Sequence, residues 1–160
     1  MRTVIAALAV LALASPALAQ NAGQIARAVG GVSCPGCNLF QAEFNGLQAT
    51  GLDFSGARLR QADLSLTVLN RTRFNRADMR DVNAYGGVFS SASFAGANLT
   101  NAGFVGSHLR GANFSGATVV GTDFSGADMS GARGLTQSQL DRACGDGTTV
   151  LPGGLHIPPC

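Results

Sequence analysis

Two cysteines separated by a Pro-Gly pair, in the stretch VSCPGCNLF at residues 32–40, have the clearest chemical potential in this chain. A Cys-x-x-Cys motif can be redox-active when a following helix stabilises a thiolate. The same spacing supplies half of a four-ligand zinc site. It can also close a tight turn, because the end residues of a turn lie within about 7 Å, close enough for a disulfide. The residues that follow decide among these three interpretations.

The other candidate residues form no catalytic pattern. His108 lies between two inward positions of the repeat described below and so points to solvent, and His156 has no carboxylate at a telling spacing. Five aspartates occupy the outward position of a repeat described below, and these are Asp53, Asp63, Asp78, Asp123 and Asp128. Facing carboxylates can act as acid and base, but a solid column of repeats offers no cleft to desolvate them. The sequence therefore predicts a protein that is not an enzyme and that needs no cofactor or metal ion.

An Arg-rich band lies in the first half of the chain. Its members are Arg58, Arg60, Arg71, Arg73, Arg76 and Arg80. Three aspartates, Asp63, Asp78 and Asp81, are interleaved with them, which favours a solvated and partly self-neutralised surface. The alternative is a docking surface for an anionic partner. By the repeat register, Arg71, Arg73 and Arg76 edge one face, and the other three arginines lie on the adjoining face.

The first nineteen residues have the pattern of a secretory signal peptide. Arg2 precedes an apolar run from Val4 to Ala14, and Ala17-Leu18-Ala19 forms a small-x-small cleavage site before Gln20. The run is too short to span a bilayer, which takes about 20 residues, so we expect no membrane insertion. The expected location is the periplasm or the exterior, where the four cysteines are more favourably paired than free.

The remaining chain is close to neutral. The whole sequence has 11 basic and 9 acidic residues, and removal of Arg2 leaves 10 basic residues. No strong overall field therefore favours nucleic acid as a partner. The unknown partner is expected to be another protein.

Apolar residues recur every five positions from Leu39 to Met129 without interruption. They are Leu39, Phe44, Ala49, Phe54, Leu59, Leu64, Leu69, Phe74, Met79, Ala84, Phe89, Phe94, Leu99, Phe104, Leu109, Phe114, Val119, Phe124 and Met129. Two residues before each lies a second, mostly small residue. Residues two apart on an extended segment point the same way, so both series face inward and the remaining two residues turn the chain. A period of five fits this arrangement and does not fit an α-helix.

Glycine stands at the second turn position of many repeats, where a type II turn requires a positive φ. The large residues at a spacing of twenty include an unbroken column of Phe54, Phe74, Phe94 and Phe114. Stacking of such a column between successive coils predicts four corners in each coil.

The repeats ADLSL, ANLTN, ANFSG, TDFSG and ADMSG resemble the pentapeptide repeat family, whose motif is A(D/N)LXX. This resemblance implies an all-β solenoid, a right-handed quadrilateral β-helix with a solid core. It also implies an alternative function, because some members inhibit a DNA-processing enzyme such as a topoisomerase by mimicking DNA. The near-neutral charge and the signal peptide disfavour that alternative here.

The register makes Cys34-Pro35-Gly36-Cys37 the first corner of the solenoid, and we expect a disulfide between Cys34 and Cys37. Cys144 and Cys160 are expected to pair and to tether the tail. A capping box at Thr136 and Gln139 predicts a short helix over 137–143. The predicted organisation is a signal peptide at 1–19, an N-terminal cap at 20–36, the β-helix at 37–132 and a C-terminal cap with a tethered tail at 133–160. The predicted function is that of a non-enzymatic, exported structural or protein-interaction element.

Overall fold

The computed structural model describes residues 16–160. Its regular elements there are α1 (Pro16–Val29), β1 (Gln48–Thr50), β2 (Val68–Asn70) and α2 (Gln137–Leu140). Residues 1–15, which hold most of the predicted signal peptide, lie outside the described residues. α1 extends across the predicted cleavage point before Gln20. Neither helix of the described chain combines the length and the apolar character that a membrane crossing requires.

The chain winds into coils of twenty residues. β1 and β2 pair in parallel with Gln48 opposite Val68, and single bridges with the same offset of twenty join the other faces. The first bridges on those faces are Asn38 to Arg58, Glu43 to Asp63 and Asp53 to Arg73. Most faces pair through one residue because two of every five residues are used by a corner. Each coil therefore has four faces, which we name after their central residues on the second coil: the 58, 63, 68 and 73 faces.

A left-handed residue forms each corner. Every fifth residue from Gly36 to Gly131 has a φ between 55° and 73°. In a representative corner, the Ala57 backbone N–H donates to the Phe54 carbonyl at 3.0 Å, which closes the turn. This combination is that of a type II turn. Eight of these corner positions carry a residue other than glycine, and five of the eight fall consecutively between Gln61 and Asp81.

The core is a column of side chains along the coil axis. The predicted inward positions are buried apart from Cys37, Leu47 and Ala49, which are partly buried against the same core. The rings of Phe74 and Phe94 stack with centroids 5.2 Å apart and planes 5° apart, and Phe94 stacks on the next ring at 5.2 Å and 14°. The predicted inward register and the stacked phenylalanine column are confirmed.

α1 packs against the N-terminal end of the core column. Ala28 is fully buried, and Ile25 and Val29 pack against the core. The coil itself starts at Cys34, whose backbone N–H donates to the Asp53 carbonyl at 2.9 Å. The Cys34 to Cys37 turn is thus the first corner of the solenoid.

The C-terminal end differs in detail from the prediction. α2 ends at Leu140, so the expected helix over 137–143 is one turn too long. The capping box between Thr136 and Gln139 is present, and Leu140 is buried. After α2, Cys144 bridges Asp123 and a later residue, Val150, bridges Asp128, both in parallel. The tail therefore follows the coil path although its sequence no longer shows the period of five.

Candidate functional site

The arginines of the Arg-rich band occupy two faces, as the register predicts. Arg58 is the central residue of the 58 face, between Asn38 and Asp78. Arg60 and Arg80 lie at the corner that ends this face, one coil apart. Arg73 is central on the 73 face. These side chains project outward because the residues between them, such as Leu59 and Met79, are fully buried.

The two remaining members of the band, Arg71 and Arg76, lie at the corners that bound the 73 face. Their φ angles are 57° and 56°. An L-residue in this left-handed region costs about 1–2 kcal/mol relative to its usual backbone conformation. A long cationic side chain thus occupies a position that glycine fills at most other corners.

Three arginines of the band are engaged in ion pairs. Arg73 Nη2 lies 2.9 Å from Asp53 Oδ2. The hydrogen bond from Arg73 is the main reason that the pKa of Asp53 falls from 3.8 to about 2. Arg80 donates to both oxygens of Asp78, each at 2.7 Å, and this pairing lowers the pKa of Asp78. The third pair, Arg60 with Asp81, is longer at 3.4 Å.

The other three arginines, Arg58, Arg71 and Arg76, form no ion pair with any residue in the described range 16–160. Half of the band is therefore neutralised within the fold, and half keeps its charge for solvent or a partner. The sequence left a self-neutralised surface and an anion-docking surface as alternatives, and the ion pairs show that the surface is partly self-neutralised.

A groove of about 300 Å³ lies on the 58 face. It is lined by Asn38, Phe40, Arg58, Arg60, Asp78 and Arg80. Phe40 is 41% exposed, whereas the other eight phenylalanines are buried. Sequence reasoning identified the three arginines and the interleaved Asp78, but it missed Asn38 and Phe40 as their neighbours. The spacing of twenty between Phe40, Arg60 and Arg80 is the signal that could have grouped them.

The two cysteine pairs lie at opposite ends of the solenoid. Cys34 and Cys37 are joined across the first corner with Cα atoms 5.5 Å apart, and Cys144 is joined to Cys160 with Cα atoms 4.8 Å apart. Asp123 lies beside the second pair, with its Oδ1 atom 3.2 Å from Cys160 Sγ. Because both sulfurs are part of a disulfide, they are not thiolate ligands, and this group does not have the donor set of a metal site.

The two histidines are separated along the solenoid and exposed. His108 is central on the 68 face, bridged to Val88 and Asp128. His156 lies in the tail, and its Nε2 atom is 4.0 Å from Asp141 Oδ1. A second groove of about 160 Å³ lies between the last coil and α2, and it is lined by Ala117, Thr118, Val119, Val120, Ser138, Gln139 and Arg142. The histidines do not lie in either groove.

The sequence matches a family model described as pentapeptide repeats, in eight copies over residues 50–83 and 92–131. A comparison with curated proteins gives no match.

Solved structures of three other proteins match parts of this chain. The first is HetL of the cyanobacterium Nostoc sp. strain PCC 7120, a pentapeptide repeat protein involved in heterocyst differentiation regulation. It is 25% identical to this chain, with a TM-score of 0.47, and the match covers 77% of this chain and 52% of HetL. QnrB1, a plasmid-mediated fluoroquinolone resistance protein, is 20% identical over 76% of this chain and 78% of its own, with a TM-score of 0.47. A pentapeptide repeat protein of the Arabidopsis thaliana thylakoid lumen is 30% identical over 64% of this chain and 61% of its own, with a TM-score of 0.33. The chain thus spans about half the length of the HetL structure.

Proposed function

Since the chain belongs to the pentapeptide repeat family, we propose that it is a non-enzymatic, exported protein that acts as a rigid structural or protein-interaction element. The observation that carries this proposal is the filled core. Apart from Leu47 and Ala49, the inward side chains between Leu39 and Met129 are buried along the axis, and the rings of the phenylalanine column stack with centroids 5.2 Å apart. The function is therefore assigned to the outer faces.

We take the coil to be right-handed, as the family resemblance implies, with both ends of the solenoid covered. The packing of Ile25, Ala28 and Val29 of α1 on the core supports a cap at the N-terminal end. At the other end, the Gln139 side chain donates to the Phe114 and Ala117 carbonyls at 3.4 and 2.8 Å. Covering both ends matters because an open coil presents unpaired backbone groups to other chains.

Export to the periplasm or the exterior is part of the proposal. It is supported by the sequence pattern of residues 1–19 and by the two cysteine pairs, which are stable in an oxidising compartment. Cleavage before Gln20 would leave the part of α1 that packs on the core. Mass spectrometry of the protein from the exported fraction should give Gln20 as the N-terminal residue, and a full-length cytoplasmic product would contradict export.

The Arg-rich band is the proposed contact surface for an anionic partner. This proposal is supported by three arginines that form no ion pair within residues 16–160 and therefore keep their charge, namely Arg58, Arg71 and Arg76. DNA mimicry is the competing function and would need rows of surface carboxylates. On this solenoid, outward aspartates and arginines instead alternate between adjacent coils. Examples are Asp53 beside Arg73 and Arg58 beside Asp78, two pairs of residues joined by backbone β-bridges.

The test is site-specific photo-crosslinking of the mature protein in the exported fraction. A photoreactive amino acid is placed at one central residue of each face on the same level of the solenoid, at Asn98, Gly103, His108 and Asn113. A defined partner should crosslink reproducibly from one face or two neighbouring faces, and the chain without a photoreactive residue serves as the control. Absence of crosslinks from all four faces, together with inhibition of DNA supercoiling by the purified chain, would replace the proposal by DNA mimicry.

A further inference from the structure

We infer that the groove on the 58 face is a binding site for an acidic segment of a partner protein, with a carboxylate held by Arg58 and Arg60 and an apolar neighbour packed on Phe40. This inference rests on the proposed function as an interaction element and specifies one site and one ligand chemistry. The groove of about 300 Å³ has the volume of a small ligand site and is open enough for side chains of a passing chain.

The charges in the groove are not balanced. Of its three arginines, Arg80 is matched by Asp78 through two hydrogen bonds of 2.7 Å. Arg60 makes one longer contact of 3.4 Å with Asp81, which lies outside the groove lining, and Arg58 has no carboxylate partner within residues 16–160. The lining holds three arginines and one carboxylate and therefore carries a net positive charge, with Arg58 unpaired within residues 16–160 and Arg60 paired only with an aspartate outside the lining.

Unused hydrogen-bond donors accompany this charge. A guanidinium group has five N–H donors and binds a carboxylate with two parallel hydrogen bonds. Arg60 uses only its Nε atom in the contact with Asp81, so both terminal nitrogens remain to bind an anion. Arg58 is exposed and retains all of its donors in the described fold. Arg80 is fixed by its pairing with Asp78 and defines one wall of the groove.

Phe40 favours a peptide over a simple anion. It lies one coil from Arg60 along the same corner, and the backbone N–H of Gln41 donates to the Arg60 carbonyl at 3.0 Å. A side chain that is 41% exposed leaves apolar surface available for contact with a partner. An acidic peptide that also carries apolar side chains satisfies the arginines and the ring together.

The short length of the basic surface disfavours nucleic acid. The corner column continues from Phe40, Arg60 and Arg80 to Thr100 and Val120, so its charge ends after the third coil. With coils about 4.8 Å apart, the two arginines of this column cover only a few ångström along the axis. Asp78 lies within the lining and would repel neighbouring phosphates. A nucleic acid gains affinity from many phosphate contacts, which this surface does not offer.

The experiment measures binding of a fluorescein-labelled synthetic peptide of alternating Glu and Leu or Phe residues, titrated with the full mature chain and followed by fluorescence anisotropy. The double variant Arg58→Gln, Arg60→Gln should weaken binding at least tenfold. The matched control Arg133→Gln, Arg142→Gln removes the same charge from two exposed arginines that lie outside the Arg-rich band and form no ion pair within residues 16–160, and it should change binding less than twofold. Phe40→Ser should weaken this peptide several-fold but leave a peptide of glutamates and serines unchanged.

Three outcomes would overturn the inference. The first is the absence of saturable binding by the unmodified chain. The second is an equal loss of affinity in the two double variants, which would indicate a general charge effect. The third is tighter binding of a labelled oligodeoxynucleotide of matched charge, which would assign the groove to nucleic acid. The photo-crosslinking experiment is independent, because a partner on the 63 or 68 face would leave the interaction function intact while this groove failed.

Discussion

Thr72 is the buried polar residue whose replacement tests the core most sharply. Four inward small positions carry hydroxyl groups, at Thr67, Thr72, Ser107 and Thr122, and all four residues are fully buried. Three of these hydroxyls donate to a carbonyl, with Thr67 Oγ1 2.8 Å from the Leu64 oxygen. Within the described chain, Thr72 Oγ1 has no hydrogen-bond partner. Replacing threonine by valine keeps the shape and removes the hydroxyl, so the same change should have opposite effects at positions 72 and 67.

The expected magnitudes follow from the two environments. A buried polar group without a partner costs about 1–3 kcal/mol, so Thr72→Val should raise the free energy of unfolding by about that amount. At Thr67 the same substitution removes a formed hydrogen bond, whose net contribution is about 0.5–1.5 kcal/mol. The two variants should therefore differ by at least about 1.5 kcal/mol. For a chain of this size, each kcal/mol corresponds to a shift of about 2–4 °C in the midpoint of thermal unfolding.

The assay is urea unfolding followed by far-ultraviolet circular dichroism, with thermal melts as a second measurement. Equal slopes of the transitions are needed before the free energies are compared, because repeat proteins can unfold in stages. A similar loss of stability in both variants would refute the reasoning. It would mean that Thr72 Oγ1 forms a hydrogen bond as the other three hydroxyls do.

Three further predictions concern a glycine, an aspartate and the C-terminal disulfide. Gly134→Ala should lower the free energy of unfolding by about 1–3 kcal/mol more than the matched Gly116→Ala in urea titrations. A Cβ at position 134 would lie 2.6 Å from a backbone nitrogen, whereas no atom lies within 4 Å of a Cβ at position 116. Equal losses of stability in the two variants would contradict this. The depressed pKa of Asp128 means that its carboxylate stabilises the fold above pH 3.8 and that this contribution disappears as the pH falls towards 2. The melting temperature of Asp128→Asn should therefore fall less steeply between pH 3.8 and pH 2 than that of the unmodified chain, and an equally steep fall would contradict this. Peptide mapping without reduction should recover Cys144 linked to Cys160, and replacing both by serine should cost about 3 kcal/mol; a free Cys160 thiol would contradict the pairing.

The sequence predicted the core because the repeat places every inward residue by the same rule. The phenylalanine column, the corners and the first turn at Cys34 to Cys37 depend only on contacts that recur every five or twenty residues. One local departure also follows this rule. At Gly87, a Cβ would lie 2.5 Å from the Phe89 ring, so the missing side chain provides room for the ring two residues later on the same face. Volume exchange of this kind conserves the filling of the core.

The end of α2 and the path of the tail could not be predicted in this way because the repeat has stopped there. Cys144 and Val150 pair with the last coil at offsets of 144 − 123 = 21 and 150 − 128 = 22 residues, and these insertions hide the coil from a search at fixed spacing. Tertiary contacts determine this segment. Asp146, for example, accepts from the Thr148 hydroxyl at 2.7 Å and from the Gly126 backbone at 3.0 Å, which joins the tail to the last coil.

The groove on the 58 face was missed because the surface obeys a different rule from the core. Along each face an outward residue stands between two inward ones, so its type can change while the stacked column beneath it stays the same. On the 58 face the outward residues change from Arg58 and Asp78 to Asn98 and Thr118, although Leu59, Met79 and Leu99 beneath that face are all fully buried. Family membership therefore determines the scaffold and leaves the ligand open. The binding chemistry of such a protein is determined by the types of the outward residues on successive coils.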